Sequence, residues 1–495
     1  MTAAGPSASP PSSTTSTDPA AGPKVAIIGA GSFFFGRPFI WNMTHSPVLR
    51  HGTMVLIDRD PQVLEVMTAI ARRVVDHLGV PTRIEASTDR RRVLPGCDFV
   101  IPSFSYRNAH FRGVDCTIAA KYGVRMCSGD TIGPGGIFRA LREIPHLLAI
   151  ARDVTELCPS AWMINFVNPS TVLGIALAKY APQVRSFALC DGPHEPHCTL
   201  RLLKHVGLLP EDATTVPPRL RARLDFALTG VNHFSWIVRL RHDGKDLMPV
   251  LRERLAESAA KERAQAGIQR SAVDPHQNAD AKARFNAEYG LQLLDLFGAY
   301  PDCMAHTKEY VPFWQGLGVN RNDPEPLTVF DAEDRQKKMD AHWAVNRAYA
   351  DGSRPITELI AKGVGDHATD IVESMWGGLG KVFRVNTRNN GAVTNMPADA
   401  FLELASHLDL GGVQPLHVGE IPSGVRGLCQ RILDCHEATA DAATACDRGL
   451  LLRACALDPI MPNLVDNQRI VDELLALERE ALPAAWYAKA NTAPG

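Results

Sequence analysis

Short apolar runs alternate with amphipathic stretches along the first two hundred residues of the chain. The segment 24–29, KVAIIG, is a β-branched run that ends in glycine, which is typical of a buried parallel strand. Similar runs occupy 53–58, 98–104, 161–169 and 185–191. Between them, the segment 133–159 carries apolar residues at helical spacing. Strands that alternate with helices at these intervals predict a doubly wound parallel sheet.

The pattern changes after about residue 200. The segment 221–249 predicts antiparallel strands with a turn at Asp243 and Gly244, and 381–397 predicts a second hairpin-like unit among helices. The predicted fold class is therefore α/β, a Rossmann-like doubly wound parallel sheet followed by an α+β C-terminal half, which is the architecture of lactate and malate dehydrogenases. We expect a disordered tail over 1–23, a nucleotide-binding domain over 24–200, and a domain for substrate, metal and subunit contacts over 201–495.

Composition excludes several classes of partner. The 495 residues include 52 Lys and Arg and 54 Asp and Glu, for a net charge of −2, and no block of like charge suggests nucleic acid or an anionic membrane as a partner. The chain contains no run of 18 apolar residues, so we expect no membrane span. The tail has no secretory signal, and eleven scattered cysteines fit a reducing compartment, so we expect a cytoplasmic protein. The expected partner is a small molecule.

A glycine-rich sequence, GAGSFFFG at 29–36, follows the first predicted strand and opens a helix. Its glycines permit a tight turn and close approach of the backbone, so that a pyrophosphate can bind at the helix N-terminus, although the third glycine comes two positions later than in GxGxxG. Asp58, which ends the next strand, would accept hydrogen bonds from a ribose and favours NAD, whereas the adjacent Arg59 leaves NADP open. An ordinary glycine turn is the alternative, but strand, glycines, helix and acid occur in order. The residues predicted to bind the cofactor here are Gly29, Gly31, Ser32, Phe33 and Asp58.

Polar residues end two neighbouring predicted strands. Cys190 and Asp191 end one of them and Asn168 ends the other, where a parallel sheet forms its ligand crevice. His233 lies at a turn into a later strand, and a thiolate with an imidazole suits a borderline divalent metal that keeps open positions. Each residue also has a purely structural explanation. Cys190 could be a buried apolar residue, Asp191 could be the N-cap of the next helix, and His233 could be a hydrogen-bonded histidine of the core.

Together these motifs resemble glycoside hydrolase family 4, the NAD- and divalent-metal-dependent glycosidases, over about residues 24–485. The resemblance is carried by GAGSFFFG (29–36), CSGDTIGPGGIFRALREIP (127–145), INFVNPSTV (164–172), ALCD (188–191), GVNHFSW (230–236) and NNGAVTNMP (389–397). The chain is most similar to the α-galacturonidase and α-galactosidase branch, whereas an aspartate directly after Cys190 resembles the 6-phospho-glycosidase branch. The resemblance also implies a homodimer or a homotetramer.

The resemblance implies a role for individual residues of this chain. The implied ligands of Mn²⁺ or another divalent metal are Cys190 and His233, and His306 is a candidate for a further ligand. The residues implied near the nicotinamide are Thr131, Gly133 and Asn168. Asp191 becomes the general acid on the leaving-group oxygen, and Asn168 also contacts the substrate hydroxyls beside the metal.

The base that removes the C2 proton is expected in the segment 296–314, LFGAYPDCMAHTKEYVPFW, which resembles the corresponding segment of the galactosidase branch. Tyr310 is the first candidate, followed by Asp302 and Tyr300. His306 is a substrate contact if it is not a metal ligand. The structural alternative is that Tyr310 simply packs against Trp314, four residues later.

The implied reaction is hydrolysis through transient oxidation of the sugar at C3, deprotonation at C2, elimination of the aglycone and addition of water. Arg107, Arg112 and Arg388 lie in segments expected to line the crevice, so Arg112 and Arg388 are predicted to bind an acidic glycoside that carries a carboxylate, sulfonate or phosphate. A galacto-type glycoside is the other expected substrate. For Arg107 and Arg112, the alternative is that each is an ordinary charged residue on the surface. The alternative activities are an NAD-dependent sugar or hydroxy-acid dehydrogenase that retains the metal site and a non-catalytic sensor of NAD or sugar.

Overall fold

The computed structural model describes residues 22–190, 192, 195, 197–264, 286–316, 327–363 and 365–488, and in this part of the chain thirteen strands form one sheet. The strands are β1 Lys24–Ile28, β2 Thr53–Ile57, β3 Arg83–Ser87, β4 Phe99–Pro102, β5 Trp162–Asn165, β6 Arg185–Ala188, β7 Leu224–Val231, β8 Phe234–His242, β9 Lys245–Asp246, β10 Tyr300–Pro301, β11 Val382–Arg388, β12 Phe401–Asp409 and β13 Gly412–Pro415. The tail predicted over 1–23 lies outside the described residues, apart from its last two.

Helices cover the sheet on both faces. The α-helices of the described residues are α1 Gly36–His45, α2 Pro61–Leu78, α3 Asn108–Lys121, α4 Gly133–Leu157, α5 Ser170–Tyr180, α6 His197–His205, α7 Pro218–Arg221, α8 Met248–Ala264, α9 Asn286–Phe297, α10 Met304–Tyr310, α11 Ala332–Asp351, α12 Ile356–Lys362, α13 His367–Gly377, α14 Ser423–Ala445, α15 Arg448–Leu457 and α16 Leu464–Leu477. Short 3₁₀ turns occupy Leu49–His51, Arg90–Arg92, Pro312–Trp314 and Ala484–Tyr487. No helix among these is both long enough and apolar enough to cross a membrane.

The first six strands form a doubly wound parallel sheet in the order β3-β2-β1-β4-β5-β6, which confirms the predicted Rossmann-like class. Their sequences are apolar because helices cover both faces of the sheet, and all five residues of β2 are buried. The edge strand β3 has the sequence RIEAS, none of whose residues is fully buried. Because this sequence is not an apolar run, it did not predict a strand.

The second half of the chain extends the same sheet with antiparallel strands. Asn386 of β11 pairs with Ala188 of β6, and the order continues as β11-β12-β7-β8-β10. The predicted turn at Asp243 and Gly244 joins β8 to β9, and both residues have positive φ. The hairpin-like unit predicted over 381–397 is wider than expected, because β11 pairs with β12, which begins only at Phe401.

The C-terminal helices complete the layer over the parallel strands. Helix α14 packs on α4 and α5, while α16 packs on α3 and α4. One continuous hydrophobic core therefore joins side chains from both halves, including Leu141, Leu177, Cys435 and Leu474. This packing brings residues from distant parts of the chain to the carboxyl ends of the parallel strands.

Candidate active site

A cavity of about 910 Å³ opens at the carboxyl ends of the parallel strands. Its wall includes residues at or just beyond the ends of β1, β2, β4, β5 and β6, where open α/β sheets bind ligands. The residues singled out in the sequence that line it are Gly29, Gly31, Ser32, Phe33, Asp58, Arg59, Arg107, Arg112, Asn168, Cys190, His233, Asp302 and His306. One cavity therefore joins the glycine-rich motif to the histidines of the predicted metal site.

The glycine-rich turn gives the cavity a cradle of exposed backbone. Gly29 has a φ of +96°, and a Cβ there would overlap the carbonyl oxygen of Ser103. A Cβ on Gly31 would overlap the side chain of Val63 and approach the ring of Trp343. The late third glycine, Gly36, begins α1, where a Cβ would overlap the carbonyl oxygen of Ala30, so it permits close packing of the helix on the turn.

Asp58 is held beside this cradle by two backbone groups. The Gly31 N–H donates to its Oδ2 at 3.0 Å and the Asp60 N–H donates to its Oδ1 at 3.1 Å. The guanidinium of Arg59 lies over the ring of Tyr106, 4.5 Å from the ring centroid. The acid therefore has a fixed position, and Arg59 is stacked on an aromatic ring on the cavity wall.

At the other end of the cavity, Asp130, His233 and His306 come together, with one potential ligand atom from each lying within 4.8 Å of the others. The two imidazole rings stack at a centroid distance of 4.5 Å and an interplanar angle of 16°. Asp130 precedes α4, His233 lies between β7 and β8, and His306 belongs to α10. Imidazole and carboxylate ligands suit a divalent cation such as Mn²⁺.

The charges around Asp130 keep it ionised. Burial alone would raise its pKa, but Arg112, His233, His306 and Arg139 together hold that pKa below its usual range. Arg112 Nη2 and Arg139 Nη1 lie 3.7 and 3.9 Å from Asp130 Oδ2. Burial lowers the pKa of Arg139 to about 10, so this arginine remains cationic at neutral pH.

His306 also contacts a thiol, because Cys303 Sγ lies 3.1 Å from its Nδ1. Burial opposes protonation of His306, but Cys303 and Asp130 raise its pKa to about 9. A bound metal would compete with this proton, because metal ligands must be deprotonated. Cys190, predicted as a ligand, lies on the cavity wall but outside the group formed by the two histidines and Asp130. Asp191, predicted as the general acid, lies outside the described residues.

Four other predicted site residues do not line the cavity. The Tyr310 hydroxyl accepts the N–H of His233 at 2.8 Å and donates to the carbonyl oxygen of Asn232 at 3.0 Å. Thr131 Oγ1 lies 3.2 Å from Nδ1 of His233, and the N–H of Gly133 donates to Oδ2 of Asp458 at 2.7 Å. None of these three residues lines the cavity, and of the three only Tyr310 and Thr131 contact His233.

Arg388, the fourth of these, was expected to line the crevice, but it is exposed at the end of β11, away from the cavity. Its Nη2 donates to the carbonyl oxygen of Ala178 at 3.0 Å. Antiparallel pairing with β12 sets this direction for the side chain. Arg107 does line the cavity, but it is exposed and paired with Glu480.

The structure adds cavity residues that the sequence analysis did not assign. Asp130 lies inside the sequence CSGDTIGPGG, and a carboxylate in such a glycine-rich loop could have indicated a site residue. Glu403 interrupts the apolar strand β12, receives hydrogen bonds from Asn232 and Ser235, and has a pKa that burial raises to about 7. Arg139 follows the Gly-Gly-Ile-Phe sequence of α4 and lines the same wall.

Comparisons with known proteins match nearly the whole chain. Two family models, described as family 4 glycosyl hydrolase and family 4 glycosyl hydrolase C-terminal domain, match residues 24–206 and 228–461. An alpha-galactosidase of Bacillus subtilis (strain 168) is 26% identical over 474 residues, which cover 93% of this chain and 99% of the relative. An alpha-galacturonidase of the same bacterium is 27% identical over 463 residues, which cover 91% of this chain and 96% of the relative.

A solved structure shares the fold at lower identity. The 6-phospho-beta glucosidase of Thermotoga maritima, crystallised with manganese, NAD⁺ and glucose-6-phosphate, superimposes with a TM-score of 0.71 at 19% identity. The match covers 93% of this chain and 99% of that one. The mixed sheet and its helical layers are therefore shared along nearly their full length.

Proposed function

This chain belongs to the family 4 glycosyl hydrolases and is a glycosidase, and from that premise we propose that it cleaves its substrate with the help of NAD⁺ and a divalent metal, through transient oxidation of the sugar at C3. The observation that carries the proposal is the single cavity that joins a dinucleotide cradle to a cluster of metal-binding side chains. A hydrolase that works only with acid and base has no need of a dinucleotide.

The cradle fits NAD⁺ because its glycines allow a tight turn of backbone on the cavity wall. A Cβ on Gly29 or Gly31 would overlap neighbouring protein atoms, so glycine is needed for the turn that would bring a pyrophosphate to the start of α1. Asp58 stands where a ribose hydroxyl would meet a carboxylate, which disfavours a 2′-phosphate. The presence of NAD⁺ in the Thermotoga maritima enzyme supports the same choice here.

The metal end offers donors of the right chemistry. His233, His306 and Asp130 would hold the ion, and Cys190, which also lines the cavity, is proposed as a further ligand. When bound, the metal would supply a Lewis acid for the sugar oxygens and NAD⁺ a reversible hydride acceptor for C3. Asn168 lines the wall here, and its amide lies 3.4 Å from Asp130 Oδ2.

We place the C2 base at Asp302 rather than at Tyr310. Asp302 lines the cavity, whereas the Tyr310 hydroxyl is engaged by backbone groups behind the wall. Arg201 and Cys198 both contact Oδ1 of Asp302, and Oδ2 has no hydrogen-bond partner among the described residues. That oxygen can accept a proton from a sugar on the cavity side. Asp191 remains the proposed general acid, because it directly follows Cys190 on the wall.

The proposed substrate is an acidic glycoside, with a carboxylate, sulfonate or phosphate, or else a galacto-type glycoside. Arg139 is buried on the cavity wall, and its Nη1 lies 3.9 Å from Oδ2 of Asp130. Its guanidinium is therefore the cation on this wall that we propose binds an oxyanion of the sugar. Relatives that act on galactosides and galacturonides support the same range of sugars.

A panel of aryl glycosides in D₂O tests the proposal. The α and β forms of galacturonide, glucuronide, galactoside, 6-phosphoglucoside and sulfoquinovoside would each be incubated with enzyme, Mn²⁺ and catalytic NAD⁺. We expect aglycone release that requires both additives, deuterium at C2 of the product and no net NADH. Stoichiometric NADH without aglycone would instead identify a dehydrogenase and overturn the mechanism.

A further inference from the structure

The short helix α10, Met304–Tyr310, contacts both of the other segments that supply the metal-binding group. His306 is itself a member of the group, and the last two residues of the helix, Glu309 and Tyr310, extend toward the other two members. All seven residues of α10 are buried. Neither Glu309 nor Tyr310 lines the cavity, so neither is placed to touch a substrate.

Glu309 holds the loop that carries Asp130. Its Oε2 accepts the N–H of Ser128 at 3.2 Å and its Oε1 accepts the N–H of Gly129 at 2.6 Å. Gly129 has a φ of +61°, and a Cβ there would overlap the sulfur of Cys116, so the loop has little room to adopt another path. The two donors directly precede Asp130 in the chain, and the direction of the Asp130 side chain therefore depends on this carboxylate.

Tyr310 holds the turn that carries His233. Its hydroxyl accepts from the His233 N–H and donates to the Asn232 carbonyl oxygen, at 2.8 and 3.0 Å. Its ring stacks on that of Phe234 at a centroid distance of 5.4 Å and an interplanar angle of 10°. The aromatic ring thus packs on one side of the turn while the hydroxyl fixes its backbone.

We propose that Glu309 and Tyr310 are positioning residues, which align Asp130 and His233 with His306 so that one short helix sets the geometry of the metal site. The inference rests on the proposed function only in that this group holds a divalent metal. It assigns to Tyr310 a role in metal binding in place of the proton transfer at C2. Outer hydrogen bonds of this kind orient metal ligands and raise their affinity.

Metal affinity, measured apart from turnover, tests the proposal. Mn²⁺ binding to the full chain would be followed by electron paramagnetic resonance, without NAD⁺ or sugar, for Tyr310→Phe and Glu309→Gln. We expect each substitution to raise the Kd for Mn²⁺ by about 10–100-fold. The matched controls are Tyr349→Phe and Glu288→Gln: the first removes a buried hydroxyl and the second neutralises a buried carboxylate, and in each group one oxygen has no hydrogen-bond partner among the described residues. Both controls should bind Mn²⁺ as the parent does.

Turnover then separates positioning from proton transfer. Excess Mn²⁺ should restore most of the activity of Tyr310→Phe if the hydroxyl only positions His233. Unchanged Mn²⁺ affinity together with activity that excess Mn²⁺ does not restore would overturn the inference and return the base to Tyr310. Failure of the parent to bind Mn²⁺ would refute the proposed metal site itself, and the inference with it. NAD⁺ affinity, measured for each variant, shows whether it is correctly folded. If Glu309→Gln does not fold, the Mn²⁺ affinity of Tyr310→Phe alone tests the proposal.

Discussion

The imidazole of His306 stacks on the imidazole of His233 at a centroid distance of 4.5 Å, and both rings face the carboxylate of Asp130 across less than 4.8 Å between ligand atoms. The three side chains come from three separate segments of the chain. They converge on a cavity that the glycine-rich turn also lines, and the proposed chemistry depends on this arrangement.

The first prediction concerns Asp130 as a metal ligand. Asp130→Asn removes one anionic ligand and leaves Arg112 and Arg139 without their shared countercharge. We expect the Mn²⁺ affinity to fall by more than the roughly 10–100-fold that loss of an outer hydrogen bond costs. Titration monitored by electron paramagnetic resonance measures the change, with Cys190→Ser in parallel. If Cys190→Ser abolished binding and Asp130→Asn left it unchanged, Asp130 would not be a ligand.

The second prediction concerns the dinucleotide cradle. Gly29→Ala places a methyl group against the carbonyl oxygen of Ser103 at a residue with positive φ, so the turn must shift and NAD⁺ should bind about tenfold more weakly or worse. Calorimetric titration with NAD⁺ measures this. Gly427→Ala is the matched control, because a Cβ on that exposed residue of α14 would meet nothing within 4 Å. Equal loss of Mn²⁺ affinity in Gly29→Ala would indicate general damage instead.

The third prediction concerns Asp302 as the C2 base. Asp302→Asn keeps the size of the side chain but removes its basicity, so kcat should fall by roughly 10²–10⁴-fold. The affinities for NAD⁺ and Mn²⁺ should stay near those of the parent. Exchange of the C2 proton in D₂O, followed by NMR, should slow to the same extent as kcat. Asp295→Asn is the control, since that aspartate also pairs with an arginine, Arg252, but on the surface. Normal C2 exchange in Asp302→Asn would exclude the assignment.

The fourth prediction concerns recognition of an acidic sugar. Arg139→Met removes a guanidinium from the cavity wall and should raise KM for an acidic aryl glycoside by about 10–100-fold, the usual cost of a lost hydrogen bond to a charged group. KM for the neutral galactoside should change much less. Arg388→Met is the control, because that side chain lies away from the cavity. An equal rise of KM for both substrates would show that Arg139 acts through Asp130 and not on the sugar.

The parallel half of the fold was predictable because each of its strands except β3 is a short apolar run between helices. The apolar sequence follows directly from burial on both faces. The antiparallel half was harder to predict, because β12 carries Glu403 in its interior and its partner β11 is followed by a loop. Asn389 holds that loop by donating to the carbonyl oxygens of Val393, Met396 and Pro397. The pattern of residues along the chain does not predict a loop held in this way.

The candidate site divides in the same way. Gly29, Gly31 and Asp58 were predictable because a dinucleotide cradle is a local unit of strand, turn and helix. The contacts of Tyr310 with Asn232 and His233 were not, because every residue of α10 is buried and the helix has no exposed face that would indicate which way each side chain points. The partnership of Asp130 with the two histidines depends on contacts between distant segments, which spacing alone does not reveal.

The last prediction concerns acid stability through His436 in α14. Burial lowers the pKa of this nearly inaccessible histidine to about 4, well below its usual value of 6.5. Between pH 6.5 and 4 the unfolded chain therefore binds a proton that the folded chain does not, so stability falls as pH falls through this window. The loss reaches about 3 kcal/mol at its acid end, on the scale of 1.4 kcal/mol per unit of pKa difference. In His436→Met this component is absent, so the difference in melting temperature between pH 7.5 and 4.5 should be smaller than in the parent. Parallel melting curves of the two proteins across the window would contradict a buried neutral histidine.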